Sequence, residues 1–291
     1  MPRSTTMAGS QLTFRPLFVG CVLLVACAVL AVGCSSADER VVEPPPIGAP
    51  FDYQLGGDAP LPPGVGIVAR DWFAGASPPA GIYGICYINA FQTQPPDDAD
   101  RPDERGAWPA EVVTTFEDPQ WPGEFVIDLA TPTLRAAAAD HVMTMIDRCA
   151  ERGFRAVEFD NLDSYSRFEA LPFGLDEALL YATALVRHAH SRGLAAGQKN
   201  TVELTREQSR TQVGFDFVVV EECGEFDECL AYRALFDDHI LDIEYLTSGL
   251  LAACSALGDG ISIVRRDVDL VLPGAPDYVY ATCADASTTG R

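Results

Sequence analysis

Ala156-Val157-Glu158-Phe159-Asp160-Asn161-Leu162-Asp163-Ser164-Tyr165 is the stretch that decides the fold, a short apolar strand that runs straight into acids and amides. Successive side chains of a strand point to opposite faces, so Glu158 and Asp160 fall on one side while Val157 and Phe159 pack on the other. Acids aimed the same way repel and raise one another's pKa. A fold tolerates that mainly where they bind a cation or perform proton or nucleophile chemistry. The alternative for this stretch alone is a strand that ends at the surface with its acids in water.

Working outward, apolar runs of strand length recur at 65–69, 82–88, 125–129, 156–159, 194–197, 215–220, 240–243 and 261–264. Amphipathic helical stretches lie between several of them, at 133–152, 175–192, 227–236 and 247–257. The first opens on Thr131-Pro132, a cap followed by a first-turn proline, and ends at Gly153; the second ends at Gly193. Buried runs alternating with helices imply a parallel sheet with helical crossovers. Eight of them predict an α/β fold, a single-domain (β/α)8 TIM-type barrel with 156–159 as its fourth strand. An open doubly wound sheet is the competing topology, but no Gly-x-Gly-x-x-Gly turn follows the first run. Residues 92–123 form a long, irregular Pro/Asp-rich connection after strand 2, and loops of that length are usually functional. Trp108 and Trp121 belong to it, placed either to stack on sugar rings or to pin the loop.

The active site of such a barrel lies at the C-terminal ends of its strands. Those ends supply Asp71, Tyr87, Asp128, Glu158, Asp160, Asn161, Asp163, Lys199, Asn200, Glu221, Glu244 and Tyr245 as candidate site residues. Lys199 stands out because the other 19 of the 20 basic residues are arginines. Acids grouped around one cation and several amides suit a polar, hydroxylated or amino-bearing substrate. Two carboxylates flanking a scissile bond are what glycoside hydrolysis requires. Asp160, Asn161 and Asp163 offer oxygen ligands to magnesium or calcium, but the calcium-loop glycine and bidentate glutamate are missing; no metal and no cofactor is assigned.

The 291-residue chain is long enough for a large core, and its net charge of −22 excludes nucleic acid as a natural partner, since no basic face is available to neutralise phosphates. A polycation fits better. Residues 1–33 read as an export signal of the lipoprotein type: Arg3 and Arg15 precede the apolar run 17–33, and small residues lead to Cys34, the expected site of lipidation. The chain is therefore expected to be exported, as a cell-envelope lipoprotein or a secreted protein. Residues 34–50, with Pro44-Pro45-Pro46, read as a Pro-rich tether from a membrane anchor, and residues 51–291 as the barrel domain. Loss of 1–33 removes two arginines and no acid, leaving −24. Export permits disulfides among Cys86, Cys149, Cys223, Cys229, Cys254 and Cys283. Cys223 with Cys229, and Cys254 with Cys283, are plausible pairs among fifteen connectivities.

At the strand ends the chain resembles the endo-alpha-1,4-polygalactosaminidases of glycoside hydrolase family 114. The resemblance runs from about residue 51 to 264. It is carried by Tyr53-Gln54-Leu55, Cys86-Tyr87, Arg101-Pro102-Asp103, Trp121-Pro122-Gly123-Glu124, Val157-Glu158-Phe159-Asp160-Asn161-Leu162-Asp163, Lys199-Asn200, Glu221-Glu222-Cys223 and Glu244-Tyr245. Phe159, Asp100 and Glu222 depart from the family's usual proline, tryptophan and glutamine. The resemblance implies a barrel that cleaves α-1,4-linked galactosamine polymers, a cationic amino-sugar polysaccharide. By analogy with other α-acting barrels, Asp160 is the nucleophile or charge-stabilising group and Glu221 the general acid/base. A membrane-tethered lipoprotein that binds amino-sugar glycans without turnover is the rival reading.

Overall fold

The computed structural model describes residues 41–285, apart from 74–75, 95–107, 169 and 259. The export signal, Cys34 and Arg101-Pro102-Asp103 lie outside the described residues. In chain order the elements are β1 (Phe51–Gln54), β2 (Ile67–Asp71), β3 (Tyr83–Asn89), β4 (Val113–Glu117), β5 (Phe125–Ile127), α1 (Pro132–Glu151), β6 (Ala156–Asp160), α2 (Ser164–Arg167), α3 (Leu175–Ser191), β7 (Ala195–Lys199), a π-helical turn (Glu207–Val213), β8 (Phe217–Glu221), α4 (Cys229–Phe236), β9 (Ile240–Glu244), α5 (Thr247–Leu257), β10 (Ser262–Arg266) and β11 (Tyr280–Thr282).

Strands β1, β2, β3, β6, β7, β8, β9 and β10 pair side by side in that order, all parallel, and β11 adds antiparallel to β10. Side-chain alternation divides the core in two. Ala156 of β6, with Tyr53, Ile85, Phe217, Val219, Leu241 and Ile243, fills the barrel. Val157 and Phe159 face outward, into the core that the barrel shares with α1 and α3 residues such as Val142 and Leu185. Gly197 of β7 makes room inside, because a Cβ there would lie 2.6 Å from the Phe217 ring. The predicted caps form as well. The Thr131 side chain accepts a hydrogen bond from the Leu134 N–H ahead of Pro132, and Gly153 and Gly193 take the positive φ that ends α1 and α3.

No backbone ladder joins β1 to β10 among the described residues. The seam is closed by side chains: the Arg266 guanidinium donates to Asp52 Oδ1 at 2.7 Å and to the Tyr53 carbonyl, and Ser262 Oγ donates to the Ala49 carbonyl at 2.7 Å. Three disulfides, Cys86–Cys149, Cys223–Cys229 and Cys254–Cys283, tie β3 to α1, close the loop after β8, and pin the segment after β11 to α5. Among the described residues no helix is long and apolar enough to cross a membrane.

Two expectations about the strands change. Residues 125–129 are not a barrel strand: β5 pairs antiparallel with β4 in a separate two-stranded ribbon. The barrel instead begins with β1, so the long connection follows the third strand rather than the second, and β6 keeps fourth place. Part of the tether changes too. From Glu43 onward it lies against the barrel, with the Glu43 carbonyl accepting from Tyr83 and its carboxylate pairing with Arg155, while Pro45 is buried.

Candidate active site

Strands β6, β7 and β8 end on Asp160, Lys199 and Glu221, and after each the chain turns through a residue with positive φ: Asn161 (66°), Asn200 (46°) and Glu222 (60°). Asparagine is among the few side chains that accept this conformation readily, which accounts for two of the three positions. The turns do a second job. Asn161 donates its backbone N–H to Asp160 Oδ1 at 2.8 Å, and Asn200 grips Glu221 by accepting its backbone N–H at 2.8 Å and donating to Oε2 at 3.3 Å.

These ends open into a cavity of about 440 Å³ at the barrel mouth. At its floor sits the Lys199 ammonium, 3.3 Å from Asp160 Oδ1, 3.4 Å from Glu221 Oε2 and 3.2 Å from Glu158 Oε1. Burial opposes a charge on Lys199, but the three carboxylates outweigh it and hold the ammonium protonated well above its ordinary range. Burial would likewise raise Asp160. Lys199, the Tyr87 hydroxyl at 2.6 Å and the Asn161 N–H instead keep its carboxyl below the usual range. Glu158 lies fully buried under the floor, accepting from the Tyr53 hydroxyl at 2.8 Å, and burial pushes it up to about 7 against the pull of Lys199. Tyr245 donates to Glu221 Oε1 from the end of β9. Asp160 and Glu221 are thus each clamped by a tyrosine hydroxyl and share one ammonium.

Of the residues expected at the mouth, Tyr87, Asp160, Asn161, Asp163, Lys199, Asn200, Glu221 and Tyr245 line this cavity. Asp71 stands behind it, accepting from Gln94, which does line it. Two do not belong. Asp128 follows β5 and accepts from the Ala130 N–H in the turn that leads to α1. Glu244 points out of the barrel, because the alternation that turns Leu241 and Ile243 inward turns Asp242 and Glu244 the other way.

Other lining groups come from segments whose sequence has no period. The β4–β5 ribbon carries Trp121 and Glu124 over the mouth, and its turn is fastened by Asp118, which accepts from Gln92 and Arg167. Trp121 is half exposed there, whereas Trp108 packs on His141 at 4.4 Å, so one tryptophan serves the cavity and the other the loop. Burial pushes Glu124 up to about 7, partly offset by the hydrogen bond it accepts from Asn89. The only signal for Glu124 is its place after Trp-Pro-Gly, and that for Tyr53 its place in Tyr53-Gln54-Leu55, because β1 has no apolar run of strand length.

Behind the wall, Glu244 Oε1 accepts from the Gly224 N–H at 2.6 Å, and a Cβ on Gly249 would lie 2.0 Å from Oε2. Asp242 lies beside it, within hydrogen-bond reach of the Glu244 carboxyl and of the Cys223 backbone. Burial and mutual repulsion raise Asp242 well above the carboxylate range, and burial raises Glu244 to about 7, so the pair retains a proton near neutrality. Cys223, Cys229 and Glu244 are the one metal-type grouping among the described residues, and both sulfurs are in a disulfide, so it offers no thiolate.

A folded-state pKa raised above the unfolded value means that the native protein binds extra protons between about 4.5 and 7. Stability contributed below that window is therefore lost as pH rises through it. Glu244→Gln is expected to raise the melting temperature relative to wild type at pH 8 and to change it much less at pH 5. Thermal melts at both values check this, and an equal loss at both would reject a protonated pair.

A parallel eight-stranded barrel with two clamped carboxylates at its mouth has the layout of a glycosidase. The chain belongs to glycoside-hydrolase family GH114, whose model matches residues 33–288. The Aspergillus fumigatus protein Ega3, solved in complex with galactosamine, has a similar fold, with a TM-score of 0.67 at 20% identity over 83% of this chain and 98% of that one. The glycoside hydrolase domain of PelA from Pseudomonas aeruginosa follows at 0.56 and 18% identity, over 80% and 98%. An uncharacterized protein of Deinococcus radiodurans is 29% identical over 93 residues, which span 31% of this chain and only 29% of that relative.

Proposed function

We propose that the protein is an exported hydrolase that cuts α-1,4-linked galactosamine polymers with Asp160 as nucleophile and Glu221 as general acid/base. The observation that carries this reading is the single ammonium of Lys199 spanning both carboxylates at the barrel mouth. Two oxygens within 3.4 Å of one nitrogen lie no more than about 7 Å apart, which is compatible with the separation of about 5–5.5 Å used by retaining enzymes. The reaction we propose is a double displacement. Asp160, kept ionised, attacks the anomeric carbon while Glu221 protonates the departing glycosidic oxygen. Glu221 then takes a proton from the water that releases the sugar from Asp160.

The ligand choice rests on charge. Galactosamine with a free amine is cationic near neutrality, and an exported chain at −24 attracts such a polymer at long range. Glu124 supplies an acid at the cavity for amino groups, with Asp163 nearby in its pair with Arg167, and Trp121 supplies an aromatic face for a sugar ring. Three disulfides fit the oxidising compartment that export implies, with Cys34 as the lipid anchor.

Incubation with galactosamine oligomers, read by mass spectrometry and by proton NMR of the first product formed, tests the reading. Shorter oligomers with the α configuration retained are expected. An intact, bound oligomer means a glycan-binding protein instead, and an inverted product rejects the double displacement.

A further inference from the structure

A second cavity of about 260 Å³ opens on the other side of Glu221 and Asn200, which wall both spaces. Its own lining includes Glu203, Glu228, Phe226 and Tyr232. Asp163, at the boundary, is already paired with Arg167 at 3.1 Å. No cation among the described residues pairs with Glu203 or Glu228, and Glu203 only accepts the Tyr165 hydroxyl at 2.8 Å. Tyr232 is 2% exposed, yet no group among the described residues hydrogen-bonds its hydroxyl. The ring is buried, and Tyr232 lines the cavity together with Glu228, Glu203 and Asp163. The hydroxyl itself keeps access to the cavity, where it is free to bond a ligand. Phe226, 64% exposed, offers an apolar face at the rim. The acids do not converge closely enough to hold one metal ion.

A ligand that suits this wall carries a positive charge, hydroxyls and an apolar ring face, and is long enough to continue past Glu221. We propose that this cavity is a second sugar subsite, which binds a hexosamine residue bearing a free amine, pairs its ammonium with Glu203 and Glu228, and rests the ring on Phe226. The assignment builds on the hydrolase reading above. A chain threaded through both cavities is cut internally, with Glu221 at the divide.

The test is cleavage of a reducing-end-labelled galactosamine hexamer by wild type, by Glu203→Gln/Glu228→Gln, and by Asp140→Asn/Asp176→Asn. The last removes the same charge from exposed positions on α1 and α3. At 0.15 M salt, loss of two charge-assisted contacts is expected to raise KM by about tenfold or more in the first double variant, with kcat nearly unchanged and the cut site moved along the hexamer. The second double variant is expected to match wild type. Equal KM changes in both variants, or none in either, overturn the subsite while leaving the hydrolase reading in place. A wild-type protein that leaves the hexamer uncut overturns both.

Discussion

Asp160→Asn and Glu221→Gln are each expected to lower turnover of galactosamine oligomers by about a thousandfold or more, with folding preserved. General acid/base groups alone commonly contribute 10²–10⁴, and a missing nucleophile removes the covalent route altogether. Both replacements match the original in shape. An amide at position 221 can still meet Tyr245 and Asn200, and an amide at position 160 can still meet Tyr87 and the Asn161 N–H, so circular dichroism spectra should overlay those of wild type. The two roles separate on an aryl galactosaminide whose leaving group is a weak base. Bond breaking there needs no proton from Glu221, so Glu221→Gln is expected to retain far more of the first step than Asp160→Asn does. Near-wild-type turnover by either variant on the natural type of substrate would remove that residue from the mechanism.

Lys199→Met is the second large effect. It leaves Glu158, Asp160 and Glu221 without the cation they surround, and breaking a buried ion pair from one side costs about 3–5 kcal/mol. The sign with pH follows from linkage. Asp160 is held low in the wild type, so the stability it contributes is present above its unfolded pKa and lost as pH falls through the lower folded value. Without Lys199 the folded-state pKa values of Asp160 and Glu158 rise. The variant is therefore most destabilised relative to wild type at pH 8 and recovers as the carboxyls take up protons toward pH 5. Denaturant melts at the two values check this. The same deficit at both would mean that Lys199 acts through the packing of its stem on Tyr53 and Tyr87 rather than through charge.

The strands from β6 to β10 were legible because parallel strands buried on both faces read as unbroken apolar runs flanked by helices. β1 was not, since Phe51-Asp52-Tyr53-Gln54 alternates apolar with polar and is only four residues long. Its polar side is buried against Arg70 and Arg266 rather than against a helix, which no hydropathy pattern announces. Phe125-Val126-Ile127 has the composition of a core strand but pairs within a ribbon that covers the mouth, and only tertiary context separates the two. At the site, position along the strand was readable for Asp160, Lys199 and Glu221. Facing was not readable for Glu244, because all five residues of β9 are buried and either parity satisfies the pattern. Glu124 and Trp121 came from a turn without periodicity.

The seam between the first and last parallel strands has a further consequence. A ring completed by a full ladder has no free strand edge, whereas this one is fastened by Arg266 and flanked by the short β11. β11 covers the edge of β10, and Cys254–Cys283 anchors the residue that follows it. Reduction of that bond loosens the cover, and the edge it shields is a template for pairing with another chain. Self-association, more than any disturbance of the carboxylates at the barrel mouth, is then the expected hazard for this barrel in a reducing compartment.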